Sequence, residues 1–122
     1  MIGHRHAATL AAVLTLAFAA PAFAHAHLSS AVPAPDAAVK VAPDRLVLHF
    51  TEGVEPDFTE LAITRDGADV HHGSVVIDPA DPATVSVGFD AALVPGAYTI
   101  TWRTVATDGH KSDGSYSFTV AP

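Results

Sequence analysis

Residues 98–103 read Tyr-Thr-Ile-Thr-Trp-Arg, with a large apolar side chain at every second position. Successive side chains of a β-strand point to opposite faces, so this alternation is typical of a strand that is buried on one face only. A helix would instead place apolar residues three and four positions apart. The stretch therefore predicts a half-buried β-strand near the C-terminus.

The same period of two recurs in four other segments of the chain. These segments are Arg45–Thr51, Glu60–Thr64, Val85–Phe89 and Tyr116–Val120. Turn signals rich in Pro, Gly and Asp separate them, at spacings of roughly 10–15 residues that are typical of a Greek-key arrangement. Five strands with one apolar face each predict an all-β sandwich, in which two sheets pack on a shared core.

Composition excludes several classes of function. The 122 residues include 13 Asp and Glu, 6 Lys and Arg, 8 His and no Cys, for a formal net charge of −7. Without Cys there are no disulfides, thiolate zinc sites or iron–sulfur clusters. The acidic balance argues against a nucleic-acid partner, because phosphate binding needs clustered Lys and Arg. A hydrophobic content of 49% argues against disorder.

The first 24 residues have the pattern of an export signal. Arg5 precedes an apolar run over Ala7–Ala20, Pro21 breaks the run, and Ala22-Phe23-Ala24 places small residues where a signal peptidase reads. We expect cleavage after Ala24, which leaves residues 25–122 as one domain; cleavage after Ala26 is the alternative. No later segment reaches the roughly 20 apolar residues of a membrane span, so we expect the mature chain not to be membrane-embedded.

Two features of the mature chain could bind a metal ion. The new N-terminus would offer a free α-amine and the imidazole of His25, and Asp108-Gly109-His110 offers a carboxylate and an imidazole two residues apart. This set of nitrogen and oxygen donors without sulfur is what tetragonal Cu(II) prefers, with Zn(II) as the competitor. Taken alone, however, Asp-Gly is a common turn pair, and His110 could be a surface residue.

Other readings of the same residues stay open. His27 could bind Cu(II) together with the terminal amine and two ionised backbone amides, provided that the N-terminus is flexible. Glu52 could hydrogen-bond a ligating histidine, or it could be a solvated carboxylate at a strand end. The sequence contains no nucleophile elbow, zinc-protease helix motif, phosphate loop or dinucleotide fingerprint, and it indicates no enzyme.

An ordered series of motifs resembles the CopC family of periplasmic copper-binding and copper-resistance proteins over the whole mature chain. The series consists of His25, Ser29–Ala34, Leu48–Glu52, Pro95–Tyr98, Trp102-Arg103, Asp108–His110, Gly114 and Phe118. The resemblance implies a seven-stranded Greek-key sandwich or barrel, cupredoxin-like or immunoglobulin-like. It also implies one Cu(II) ion per chain and a periplasmic location.

The resemblance implies specific ligands as well. They are the amine and imidazole of His25, the carboxylate of Asp108 and the imidazole of His110, with the carboxylate of Glu52 beside the copper. The methionine-rich Cu(I) site of the family has no counterpart, since the only methionine is Met1. The membrane domain that some relatives carry is also missing, so an inner-membrane copper-uptake partner is an expectation from the family alone.

Two rival functions come from other classes. Lytic polysaccharide monooxygenases also bind copper through an N-terminal histidine and a second histidine, but 98 residues leave little area for a polysaccharide-binding face. The Asp108 carboxylate would also occupy a position that oxygen chemistry needs open. The other rival is a metal-free sandwich that acts as an interaction module, which would bind no stoichiometric metal.

Overall fold

The computed structural model describes residues 26–122, together with the isolated positions Gly3 and Ala12. The rest of the predicted export signal (1–24) and the predicted ligand His25 lie outside the described residues. Within the described part, no helix is long and apolar enough to cross a membrane.

Nine strands and one short 3-10 turn make up the described structure. The strands are β1 Leu28–Val32, β2 Ala38–Val39, β3 Arg45–Phe50, β4 Glu60–Arg65, β5 Ala68–Asp69, β6 Val76–Asp78, β7 Asp81–Gly88, β8 Gly96–Val105 and β9 Lys111–Val120, with the turn at Pro56–Phe58 between β3 and β4. All five segments with period-two alternation are strands. The expected count of seven is wrong for the described residues, because β2 and β5 add two strands of only two residues each.

The strands form two sheets whose neighbours are mostly not consecutive in the chain. One sheet has the order β1-β3-β7-β6, and the other has the order β2-β9-β8-β4-β5. The chain therefore crosses from one sheet to the other five times, as in the predicted Greek-key sandwich. All pairings are antiparallel except that of β2 with β9.

The core lies between the sheets and is filled by the alternating residues of the longest strands. Leu46, Leu48, Val85, Val87 and Ile100 are completely buried. Trp102 packs edge-on against Phe50 across the core, with ring centroids 5.0 Å apart. The indole also lies over Gly114, its direct partner on β9, and leaves no room for a Cβ there. The apolar faces predicted from the sequence thus meet in one core.

Three segments meet at one end of the sandwich. The Val54 N–H donates to the carbonyl of Pro82 over 3.0 Å, and the Thr107 N–H donates to the carbonyl of Gly53 over 3.0 Å. These bonds join the loop after β3 to the start of β7 and to the turn between β8 and β9. The predicted metal-site residues after β3 and β8 therefore belong to the same end of the molecule.

Candidate metal site

The turn between β8 and β9 brings the sequence Asp108-Gly109-His110 into a closed loop. The Ala106 N–H donates to the carbonyl of His110 over 2.9 Å, and the Gly109 N–H donates to the carbonyl of Ala106 over 2.8 Å. Gly109 has a φ of 91°, a backbone conformation that glycine adopts without steric cost. The glycine therefore allows the chain to turn within two residues.

The carboxylate of Asp108 contacts His110 at two points. One oxygen accepts the backbone N–H of His110 over 3.0 Å, and the other lies 3.0 Å from Nδ1 of the ring. The side chains of His110 and Asp108 are 44% and 39% exposed, but Nδ1 of His110 itself is buried. The predicted convergence of a carboxylate and an imidazole is present in the structure.

The segment Ala26-His27, which we call the N-terminal arm, is attached to this end of the sandwich. The Ser112 hydroxyl, two residues after His110, donates to the carbonyl of Ala26 over 2.7 Å. The His27 N–H donates to the Thr51 hydroxyl over 2.9 Å, and the Thr51 N–H donates to the carbonyl of His27 over 2.8 Å. Ala26 is completely buried. The first described residues are thus held beside both candidate loops.

Glu52 lies on the loop that neighbours the β8–β9 turn. It is half-buried and stands between Thr51, which binds the N-terminal arm, and Gly53, which accepts the bond from Thr107. Among the described residues, no group of three or more His, Cys, Asp or Glu is close enough to hold a metal ion. The structure therefore brings together Asp108 and His110, but Glu52 does not join them in such a group.

Sequence reasoning missed two residues of this region, Ser112 and Thr51. Both are hydroxyl residues in or beside a strand, and such residues usually carry no signal for a site. Their role depends on the contacts of Ser112 with Ala26 and of Thr51 with His27, which no local pattern encodes.

His72 lies elsewhere and is held by its own contacts. Its Nδ1 is 2.7 Å from the carbonyl of Gly73, and its Nε2 is 3.0 Å from the carbonyl of Leu61. Both ring nitrogens thus face backbone acceptors, which makes His72 a suitable control for the site at His110.

The fold is thus a Greek-key sandwich of two sheets, with an aspartate–histidine contact in the turn between β8 and β9. A family model described as the CopC domain matches residues 28–121. The chain belongs to the CopC family.

Three relatives illustrate this membership. Protein YobA of Escherichia coli (strain K12) is 37% identical over 111 residues, which are 89% of this chain and 90% of that protein. The crystal structure of CopC from Methylosinus trichosporium OB3b superposes with a TM-score of 0.74 at 29% identity, covering 80% of this chain and 95% of the other. PcoC, a methionine-rich copper resistance protein from Escherichia coli, has a TM-score of 0.72 at 34% identity, with 80% and 99% covered.

Proposed function

We propose that this chain is an exported, periplasmic copper-binding protein that sequesters or delivers one Cu(II) ion. In the proposed site the ligands are the α-amine and imidazole of His25, the carboxylate of Asp108 and the imidazole of His110, with Glu52 beside the metal. In this proposal the protein carries copper and catalyses no reaction. An inner-membrane copper-uptake protein is the proposed partner.

The contact between Asp108 and His110 is the observation that carries the proposal. Two ligands that each lie about 2.0–2.1 Å from a metal ion, at a right angle, are about 2.9 Å apart. The observed separation of 3.0 Å between the carboxylate oxygen and Nδ1 matches this spacing of two ligands.

The N-terminal arm supports the inclusion of His25. Consecutive Cα atoms are about 3.8 Å apart, and Ala26 is fixed to Ser112, two residues from His110. A chain that begins at His25 would therefore offer its α-amine near the Asp108–His110 pair. The bond from Ala26 thus joins the two halves of the site that the sequence predicts separately.

The contacts of the N-terminal arm argue against the flexible mode in which His27 binds copper through ionised backbone amides. That mode needs the amide nitrogen of His27 as a ligand, whereas this N–H donates to the Thr51 hydroxyl. The other amide of that mode belongs to Ala26, whose carbonyl accepts the Ser112 hydroxyl. Copper binding through these amides would have to pull the arm off the sheet.

PcoC is a copper resistance protein, and the donor atoms of the proposed site favour Cu(II) over Cu(I). Nitrogen and carboxylate ligands suit Cu(II), and Cu(I) prefers thiolates and thioethers. The chain has no Cys and a single methionine, Met1, within the predicted signal. Binding requires deprotonated ligands, so the affinity should fall as the pH decreases through the histidine range.

The test is a Cu(II) titration of protein that begins at His25, followed by EPR spectroscopy. We expect the tightest equivalent to have a tetragonal spectrum of nitrogen and oxygen ligands. His110→Ala and Asp108→Ala should each weaken this equivalent by more than tenfold, whereas the control His72→Ala should leave it unchanged. One additional residue before His25 should weaken it as well, because the amine becomes a peptide nitrogen.

Several outcomes would overturn the proposal. Equal effects of His72→Ala and His110→Ala would refute the assignment of ligands. Tight binding that survives His110→Ala but is lost both in His27→Ala and in the chain extended before His25 would establish the flexible mode. Polysaccharide cleavage that depends on copper, peroxide and a reductant would make the protein an oxidative enzyme, and the absence of tight binding would leave a metal-free interaction module.

A further inference from the structure

A hydrogen-bonded row crosses the outer face of the sheet β1-β3-β7-β6, away from the core. Nδ1 of His49 on β3 lies 3.0 Å from the Thr84 hydroxyl on β7, and this hydroxyl donates to a carboxylate oxygen of Asp81 over 2.7 Å. The other oxygen of Asp81 accepts the Ala83 N–H over 3.2 Å. None of these groups takes part in the proposed site at His110.

The row determines which nitrogen of His49 carries the proton. The Thr84 hydroxyl has a single proton to donate. The hydrogen bond from Thr84 is the larger cause, and that from Ala83 the next, that holds the pKa of Asp81 below its ordinary value. The ionised carboxylate accepts the hydrogen bond that the hydroxyl donates, so the Thr84 oxygen can only accept a hydrogen bond from His49. Nδ1 therefore donates, and Nε2 of the neutral ring carries a lone pair.

This arrangement is the one that metal-binding histidines use. Such a histidine almost always donates its second ring N–H to an oxygen acceptor, which fixes the tautomer and the orientation of the ring. The relay from His49 through Thr84 to Asp81 thus prepares Nε2 as a ligand.

A second imidazole belongs to the same face. His27 lies opposite Thr51, and Ser30 lies opposite His49 in the pairing of β1 with β3. Phe50 is buried in the core, so its neighbours His49 and Thr51 point to the outer face, and the exposed His27 points the same way.

The two histidines occupy a diagonal of this strand pair. Diagonal residues of antiparallel strands are about 7–8 Å apart at Cα. Two imidazole rings turned toward each other can bridge this distance through a metal ion about 2 Å from each nitrogen. A bulge between Leu28 and Ser30 increases the local twist beside the pair.

We infer that His49 and His27 form a second site for a divalent transition-metal ion on the outer face of β1 and β3. Two imidazoles without sulfur suit Cu(II), Ni(II) and Zn(II), and Cu(II) should bind most tightly in this series. Water completes the coordination, since the pair supplies only two protein ligands. The site does not depend on the proposed one at His110, because it uses neither the terminal amine nor the β8–β9 turn.

The test uses residues 25–122 preceded by one alanine, so that His25 has no free amine. This part of the chain holds all nine strands and the core, and the superposed CopC and PcoC crystal structures are 95% and 99% covered by it. Cu(II) is titrated in competition with a chromophoric chelator, and EPR records the bound ion. We expect one equivalent, lost in His49→Gln and weakened more than tenfold in His27→Gln.

The positioning role of Thr84 has its own controls. Thr84→Val removes the hydroxyl and should weaken this equivalent about 10- to 100-fold, whereas Thr84→Ser keeps the hydroxyl and should restore most of the affinity. His71→Gln, an exposed histidine outside this face, should have no effect. Thermal unfolding of each variant separates a lost ligand from a lost fold.

Two results would overturn the inference. The first is an extended wild-type chain that binds no Cu(II), and the second is binding that His49→Gln leaves unchanged. A failure of the proposed function is recognised differently: the chain with a free His25 amine would then bind no more copper than the extended one.

Discussion

Replacement of Ser112 by alanine removes the hydroxyl that ties the buried carbonyl of Ala26 to β9. A neutral hydrogen bond contributes about 0.5–1.5 kcal/mol to stability, and a buried carbonyl left unpaired costs about 1–3 kcal/mol. The bond is 2.7 Å long and Ala26 is completely buried, so we expect an effect of about 1–2 kcal/mol. The substitution should act on the attachment of the N-terminal arm.

The expected consequence is weaker copper binding without the removal of any ligand. If the arm must lie on the sheet for His25 to bind, the apparent dissociation constant increases as the attached fraction decreases. A shift of about 1–2 kcal/mol corresponds to at most about a 5- to 30-fold increase in Kd, which is reached when the arm of the variant is mostly detached. The bonds between His27 and Thr51 remain and limit the effect.

The assay is a Cu(II) competition titration of residues 25–122 at neutral pH, combined with thermal unfolding of the metal-free protein. Ser115→Ala is the matched control, because Ser115 is an exposed serine on the same strand. A Kd for Ser112→Ala within twofold of the control, together with a lower melting temperature, would refute the reasoning. It would show that the bond stabilises the fold but does not position the N-terminus for the metal.

Two other predictions concern the core. Gly114→Ala would place a Cβ 2.5 Å from Trp102 and should destabilise the protein by about 1–3 kcal/mol. Gly88→Ala is the control, because there is open space around Gly88 and no loss of stability is expected. Denaturant unfolding compares the two variants, and equal losses of stability would contradict the packing argument. Burial raises the pKa of Tyr116, whose hydroxyl has no partner among the described residues. The Tyr116 hydroxyl therefore ionises in the unfolded chain at a lower pH than in the folded protein, so the stability of the protein falls above about pH 10. Tyr116→Phe should leave the melting temperature at pH 7 unreduced and should diminish this loss of stability at alkaline pH.

The longer strands could be predicted from the sequence because their burial is periodic. In β8 and β9, every second residue from Tyr98 to Trp102 and from Tyr116 to Val120 is buried, as the alternation indicates. β1 is different, since the bulge between Leu28 and Ser30 interrupts the period and only Ala31 of this strand is buried. β2 and β5 have two residues each, which is too short for any period.

The site could be predicted only in its local part. Asp108 and His110 are two residues apart around a glycine, so their contact follows from the turn itself. Ser112 and Thr51 bind residues 86 and 24 positions away, and those contacts exist only because the sheets pair as they do. The relay from His49 to Asp81 has the same origin, because β3 and β7 are far apart in the chain.

The bond between Ser112 and Ala26 spans 86 residues and joins the first strand region to the last. Closing such a long loop is entropically unfavourable until the intervening strands have paired. The proposed site draws on both ends of the chain, so it would be complete only after the whole sandwich has formed. A chain whose last strand has not yet paired would therefore lack the proposed site, and copper binding at this site would report complete folding.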